Sequence, residues 1–267
     1  MKPIEYGVIL AAGTGSRLSP LTKYLPKIIL PIFNRPLIIH HFEILRMIGV
    51  KKIFIVISNN HKHLISDILS QDSELNIEYE FVVQEFLGGT GHALLLLKEQ
   101  LANTRFALLL GDEYYNDVLS FSQMTSNVFS DNIMGVIEYI DLKNIMSGCN
   151  VIIENEKIKK LNEKPKIHEI NGRWCWDGSA VFTSQIINIL DEMNKSFEYK
   201  GKDYLCIVSA MQQMLKNNIN ISSLKKTGTN INITYDTDLI KANLMECMKK
   251  HDLQFVKDLI DEVQVVC

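Results

Sequence analysis

Apolar runs of strand length recur along the first half of the chain, with helical patterns between them. Tyr6 to Ala12, Lys52 to Ser58, Ile77 to Gln84, Phe106 to Gly111 and Ile133 to Tyr139 read as strands. Pro36 to Met47, Lys62 to Ser70 and His92 to Leu101 repeat their apolar residues at the 3.6-residue period of a helix. Strand alternating with helix predicts an α/β fold built on a mixed, mainly parallel sheet with helices on both faces. Past about residue 140 the segments become shorter and more polar. Val151 to Ile153, Lys157 to Asn162 and Trp174 to Phe182 read as strands before helices near 184–194 and 203–217. We expect there an antiparallel or mixed extension that closes over the sheet mouth. From Asp236 to about Glu262 the pattern is helical, with Leu239, Ala242, Leu244, Met248, Phe255, Leu259 and Ile260 as its apolar positions. That stripe suits either the home core or a second subunit, so a homo-oligomer stays open. With no internal repeat or low-complexity segment, residues 1–267 read as one domain in three parts, 1–140, 141–235 and a helical tail 236–267.

Composition narrows the partners. Lys plus Arg number 28 against 31 Asp plus Glu, a net charge of −3, so no basic excess is available for nucleic acid or an anionic membrane. A phosphorylated ligand would have to be met by a few placed cations. Five cysteines without a CxxC pair argue against a disulfide framework or a Cys-rich zinc site and for a reducing compartment. The first residues carry no charged-then-apolar leader, and no run approaches the roughly 18 apolar residues of a membrane span. The expectation is a cytoplasmic protein.

Ligands of parallel sheets bind beyond the carboxyl ends of the strands, so the residues just after each strand carry the chemistry. After the first strand comes Leu10-Ala11-Ala12-Gly13-Thr14-Gly15-Ser16-Arg17-Leu18-Ser19-Pro20-Leu21-Thr22-Lys23-Tyr24-Leu25-Pro26-Lys27. Glycines at 13 and 15 let successive N–H groups approach a phosphate chain, and Arg17 and Lys27 supply positive charge. Leu18 stands where a dinucleotide fingerprint needs its third glycine, and no Gly-Lys-Ser/Thr follows as in a Walker loop.

This stretch, GxGSRLxPLTxxxPK, resembles the signature of sugar-1-phosphate nucleotidyltransferases, the nucleoside-diphosphate-sugar pyrophosphorylases. The ten positions between Arg17 and Lys27 resemble the glucose-1-phosphate thymidylyl- and uridylyltransferase branch. The resemblance implies the Rossmann-like nucleotide-diphospho-sugar transferase fold, with 1–140 binding nucleotide and 141–235 binding sugar phosphate. It also implies Mg²⁺ as cofactor and an NTP and a sugar 1-phosphate as substrates. Further landmarks follow in order. Gln84 with Gly88-Gly89-Thr90-Gly91-His92-Ala93 is similar to the base-reading segment. A primary amide plus glycine backbone suits the imide edge of uracil or thymine, hence UTP or dTTP.

Asp112, at the end of an apolar strand, falls on the family's metal-binding aspartate. Its neighbour Glu113 departs from the family's usual Asn, His or apolar residue, as a supporting acceptor or an extra ligand. Asn162-Glu163-Lys164-Pro165 resembles the segment whose Glu contacts sugar hydroxyls and whose Lys contacts the sugar phosphate. Gly178, within Trp176 to Phe182, falls in the strand that floors the sugar pocket, where it would allow close sugar contact. In Asn230 to Leu239 the second metal ligand, an acid in most relatives, falls on Asn232, with Asn230 as the rival register. Asn retains a neutral oxygen, as the N-acetylglucosamine-1-phosphate enzymes are thought to use. Gly201-Lys202-Asp203 departs from the family's Gly-Glu, which bears on the sugar. The resemblance therefore implies catalytic Arg17, Lys27, Asp112 and Lys164. Nucleotide contacts would come from Leu10 to Gly15, Gln84, Gly89 and Thr90, sugar contacts from Glu163, Lys164 and Gly178, and Mg²⁺ ligands from Asp112 and Asn232. The alternatives are a cytidylyltransferase of a phosphonate or other small phosphorylated molecule, and a catalytically silent regulatory relative.

Overall fold

The computed structural model describes residues 3–72, 75–126, 130–199 and 204–266, and in the last helix the side chains only as far as 258, with 261 and 262. In chain order the elements begin with β1 (Tyr6–Leu10), β2 (Pro31–Ile32), β3 (Arg35–Pro36), α1 (Leu37–Met47), β4 (Lys52–Ile57), α2 (Lys62–Gln71) and β5 (Glu78–Val83). Then come α3 (Thr90–Leu95), β6 (Arg105–Leu110), β7 (Glu113–Tyr115), α4 (Ser122–Ser126), β8 (Ile133–Glu138), α5 (Leu142–Ser147), β9 (Cys149–Glu154) and β10 (Lys157–Glu163). The chain continues with β11 (Trp174–Thr183), α6 (Gln185–Lys195), α7 (Ile207–Lys216), β12 (Ser222–Lys225), β13 (Asn230–Asn232), α8 (Asp236–Lys250) and α9 (Leu253–Val266). Each strand expected in the first half is present with its ends moved by one or two residues, β6 starting one residue early at Arg105 and the others shorter than expected.

One nine-stranded sheet runs through the molecule in the order β5-β4-β1-β6-β11-β8-β12-β10-β9. The first four strands are parallel, as expected from the crossover rhythm. Their side chains alternate between two cores, which is why they read as unbroken apolar runs. Val8, Phe54, Val56, Phe106 and Leu108 pack beneath α3, α6 and α7, while Ile9, Ile53, Ile55 and Leu109 pack beneath α1 and α2. Helices therefore cover both faces.

The extension after residue 140 is mixed, as expected, and joins the same sheet, with β9 returning to pair with the start of β11 at Asn150 and Cys175. β11 lies antiparallel along β6, pairing Ser179 to Thr183 with Leu109 to Arg105, and so satisfies the open edge of the parallel half. Two sequence expectations change in detail. The helix expected over His92 to Leu101 is α-helical only to Leu95. Beyond it, Leu97 and Lys98 donate to the carbonyls three residues back, tightening the turn while Leu97 and Leu101 stay buried against the sheet. The tail breaks into two helices at His251 and Asp252, where the Asp252 carboxylate accepts from the Phe255 N–H at 2.8 Å. Within α8, Ala242 and Cys247 face inward, whereas Ile240, Leu244 and Met248 are exposed, as is Phe255 in α9. Leu259 and Ile260 lie outside the described side chains.

Helix α1 carries two adjacent histidines without metal-binding spacing, and the structure shows a structural use for His41. Its ring is wholly buried, and Nε2 donates to the Glu113 carbonyl at 2.7 Å, so the helix supports the strand that leads out of the mouth. Burial pushes His41 down to about 4, opposed by that hydrogen bond. A neutral folded histidine and an unfolded one near 6.5 mean that the unfolded chain binds more protons between those pH values. Stability contributed by His41 is then complete above about pH 6.5 and is lost as pH falls toward 4, by about 3 kcal/mol in full. Urea unfolding from pH 7 to pH 4 should show a shallower loss in His41→Gln than in the parent; equal slopes would remove His41 from the account.

Candidate active site

Parallel register brings the carboxyl ends of β5, β4, β1 and β6 to one edge, and the antiparallel β11 begins at that same edge. The loop after β1 and the residues after β6 are immediate neighbours, since the Gly111 N–H donates to the Leu10 carbonyl at 2.8 Å. Within the loop the Leu18 N–H and the Thr22 hydroxyl both donate to the Gly15 carbonyl, at 2.9 and 2.8 Å. This folds the chain back so that Lys27 returns to the mouth. Its Nζ meets Asp112 Oδ2 at 3.0 Å, joining two residues 85 positions apart. Ala12 is buried, whereas Gly13, Thr14 and Arg17 are exposed, and Arg17 makes no ion pair among the described residues. An ammonium already neutralising a strand-end carboxylate, on a loop that also exposes glycine backbone and a guanidinium, can exchange its partner for a phosphate.

The base-reading candidates form a second, tightly stitched corner. Gln84 is buried, and its Nε2 donates to the Gly89 carbonyl at 3.1 Å and to His92 Nδ1 at 2.9 Å. Burial holds His92 below the usual imidazole range, which favours the neutral ring that accepts this bond. The amide therefore keeps Oε1 as its remaining acceptor. The stretch from Gly88 to Thr90 is tied to the start of α7: Leu205 N–H to Gly88 carbonyl and Gly91 N–H to Leu205 carbonyl, both 2.8 Å, and Ile207 N–H to Thr90 Oγ1, 3.1 Å. The Thr90 hydroxyl is thus engaged within the protein, leaving its backbone for a ligand. The sequence placed His92 in the base-reading segment without giving it a role, and Leu205 is a backbone contact without a residue-type signal.

A buried polar knot lies under the mouth. Asp177 and Lys226 form an ion pair at 2.6 Å with side-chain exposures of only 1% and 4%. Ser179 donates to Asp177 through both N–H and hydroxyl, and Lys226 donates to the Ser179 hydroxyl at 2.9 Å. Lys226 also stands 3.3 Å from the centroid of the Phe121 ring. Burial lowers its pKa and the Asp177 charge opposes that shift. The β11 ladder against β8 is irregular from Trp176 to Ala180, and there Gly178 adopts φ +84°. A Cβ at Gly178 would stand 2.7 Å from Glu113 Cγ, so the glycine that the resemblance assigns to the sugar floor also makes room for Glu113.

Glu113 is buried and held by two amides. Asn230 Nδ2 donates to its Oε2 at 2.8 Å and Asn232 Nδ2 to its Oε1 at 2.6 Å. Burial, followed by the charge of Asp112, pushes the carboxyl up to about 8, against the pull of those amides. Asn230 spends its whole amide inside the protein, donating also to the Asp177 carbonyl at 3.0 Å and accepting from the Tyr139 hydroxyl at 2.9 Å. Asn232 instead stands exposed at the rim, with Oδ1 accepting from the Thr234 hydroxyl. Of the two rival registers, Asn232 falls on an exposed residue and Asn230 on a buried one. Glu163 and Lys164 are exposed at the end of β10, where Glu163 pairs with Cys149, and Lys164 donates its N–H to the Gly148 carbonyl at 2.8 Å. Gly201, Lys202 and Asp203 lie outside the described residues.

Among the described residues no group of three or more His, Cys, Asp or Glu side chains is gathered to hold a metal. The donor set at the mouth, a carboxylate at Asp112 and an amide oxygen at Asn232, is hard and sparse. It fits a cation such as Mg²⁺ that keeps several waters and takes further ligands from phosphates. No helix among the described residues is long and apolar enough to cross a membrane.

Residues 6–251 match the model of the nucleotidyl transferase family, and the chain belongs to that family. It is 28% identical over 240 residues to the bifunctional protein GlmU of Methanococcus aeolicus, which covers 88% of this chain and 53% of that protein. The chain thus spans about half the length of that relative. It is 27% identical over 219 residues to a UTP–glucose-1-phosphate uridylyltransferase of Staphylococcus haemolyticus, covering 72% of this chain and 76% of the relative. The inositol-1-phosphate CTP transferase from T. maritima has the same fold, with a TM-score of 0.77 at 19% identity, covering 92% of this chain and 97% of that one.

The buried ion pair gives a direct test of the floor. Lys226→Met leaves Asp177 charged and unpaired and should cost about 3–5 kcal/mol, measured by urea unfolding. Adding Asp177→Asn should return most of that loss, because both charges then leave together.

Proposed function

We propose that the protein condenses a sugar 1-phosphate with UTP or dTTP to give a nucleoside-diphosphate sugar and pyrophosphate. The observation that carries this reading is the Lys27–Asp112 ion pair, which joins the glycine loop to a strand-end carboxylate, with Arg17 exposed on that same loop. A phosphate oxygen of the sugar attacks the α-phosphorus in line, and the bond to the β-phosphate oxygen breaks as pyrophosphate leaves opposite. The attacking phosphate is already anionic, so no general base is needed. The protein's task is to offset the repulsion between anions. Lys27 exchanges Asp112 for the triphosphate, Arg17 joins it there, and the backbone from Leu10 to Gly15 positions the leaving group. Lys164 meets the incoming phosphate and Glu163 accepts from sugar hydroxyls. Mg²⁺, held by Asp112 and Asn232, supplies charge neutralisation to the phosphates when bound.

Base choice follows from the locked amide. Since Gln84 Nε2 is engaged by Gly89 and His92, the side chain keeps an acceptor, which suits the N3–H of uracil or thymine. Cytosine has no hydrogen at N3 and meets an acceptor on that edge only through its exocyclic N4 amino group, from a shifted position. The T. maritima neighbour, named for CTP, has this fold as well, so the distinction rests on the side chain and not on the architecture.

A pyrophosphate-release screen over the common NTPs and a panel of sugar 1-phosphates tests the reading. UTP or dTTP should exceed CTP and GTP in kcat/KM by at least about tenfold, the worth of one lost polar pairing. A preference for CTP or GTP would overturn the assignment of Gln84. Lys27→Ala should lose on the order of 10²-fold in kcat, the usual effect of removing one donor from a phosphate clamp. Lys164→Ala should raise KM for the sugar 1-phosphate and lower kcat while calorimetry shows unchanged NTP affinity. If NTP affinity falls as far as turnover, Lys164 serves the triphosphate instead.

A further inference from the structure

Four strands place Trp176 and Glu163 on one row. Trp176 pairs with Val136 of β8, the pairing of Cys175 with Asn150 brings Trp176 level with Cys149 of β9, and Cys149 pairs with Glu163 of β10. Residues opposite one another on neighbouring strands point to the same face of a sheet. Val136 and Cys149 belong to the core beneath α3, α6 and α7, and Trp176 packs against it, so the whole row faces the helices that carry the base corner. Val136 and Cys149 are buried, whereas Trp176 is partly exposed and Glu163 exposed. Helix α7 spans both places: its first turn is tied to the Gly88–Gly91 stretch, and Gln212 Nε2 donates to the Leu161 carbonyl at 2.9 Å, two residues before Glu163.

The start of β11 overhangs the mouth. Its ladder with β6 begins only at Ser179, opposite Leu109, so Trp176 lies beyond the carboxyl end of β6. The indole Nε1 donates to the Ser179 carbonyl at 2.8 Å, across the turn in which Gly178 has φ +84°. That bond uses the only donor of the ring and fixes its plane, so what Trp176 has left to present is an aromatic face. Trp174, on the same side of the strand, already has a partner, since Lys225 Nζ stands 5.1 Å from its ring centroid. Among the described residues no cation or second ring is set against Trp176.

We propose that Trp176 is the stacking platform for the sugar 1-phosphate, its indole face taking the apolar C–H side of a pyranose ring while Glu163, two strands along the same row, accepts from the ring's hydroxyls. This rests on the nucleotidyl-transfer reading of the site given above. The two ends of the row read different parts of one ligand. A pyranose carries its hydroxyls around the rim and its C–H bonds on the faces, and the electron-rich face of an indole attracts the polarised C–H bonds. Lys164, the next residue after Glu163, holds the phosphate end, so the platform orients the ring behind it.

Tryptophan emission tests the platform without relying on turnover. The chain has two tryptophans, so W174F leaves Trp176 as the single emitter. UDP-glucose, UDP-galactose and UDP-N-acetylglucosamine are titrated into W174F against UDP alone, and at least one of the three should quench or shift the emission beyond the change that UDP produces. In the pyrophosphate-release assay W176L should raise KM for the sugar 1-phosphate about three- to tenfold, the range of one aromatic contact, with KM for the NTP unchanged. W176F, which keeps a ring, should recover most of that loss. Emission that answers to UDP and to every UDP-sugar alike overturns the proposal. So does W176L with a lowered Tm and a parent-like KM for the sugar 1-phosphate, which assigns Trp176 to the core alone. A response specific to the UDP-sugars in a protein that releases no pyrophosphate from any NTP and sugar 1-phosphate would instead keep the platform and overturn the reaction proposed above.

Discussion

The mouth of the sheet depends on the ion pair between Asp177 and Lys226, two charges removed almost entirely from water. Neither is tolerable alone in that position, and together with Ser179 they tie the irregular stretch of β11 into a fixed shape. That shape sends the Asp177 carbonyl to Asn230, and Asn230 in turn holds Glu113. Gly135, in the middle of β8, leaves the space that the Asp177 and Ser179 side chains fill. Polar order therefore propagates from the interior outward: buried pair, strand irregularity, amide, carboxylate, rim. Each member leaves the next with one orientation.

Above this floor the electrostatics are sparse. The chain carries a net charge of −3, and of its candidate cations Arg17 and Lys27 share the loop after β1 while Lys164 follows β10. Lys27 alone is paired with a carboxylate, Asp112, in the ligand-free arrangement. Its position is prepared by the hydrogen bonds that Leu18 and Thr22 make to the Gly15 carbonyl. Preparing a cation in this way limits the reorganisation left when an anion takes the place of Asp112.

The base corner uses a different device. Backbone bonds between Gly88 to Gly91 and Leu205, with the Thr90 hydroxyl at Ile207, attach the reading loop to α7, whose buried face packs in the same core as α3 and α6. Gln84 is consequently aimed by its own loop and by His92, and its identity as a donor or acceptor is decided before a ligand arrives. The fold is shared with a protein named for CTP, so under the proposed reading selectivity rests on this local arrangement.

Strand and helix order was legible in the sequence because the parallel strands are buried on both faces and their helices carry one apolar stripe. Both patterns are local and survive reading one residue at a time. The glycine loop, Lys27, Asp112 and Lys164 were legible for a related reason: their residue types follow strand ends, and their spacing resembles a known signature. Tertiary structure decided what spacing cannot express. Asn230 and Asn232 are two positions apart, chemically identical and on one face of their strand, yet Asn230 is consumed by the Asp177 carbonyl and the Tyr139 hydroxyl while Asn232, the last residue of the strand, stands exposed. Glu113 read as a departure at one position, and its partner lies 119 residues away across a two-stranded ladder. Lys226 and Asp177 carried no signal at all, since a buried ion pair is defined by the water it excludes, and that exclusion exists only once distant segments have packed together.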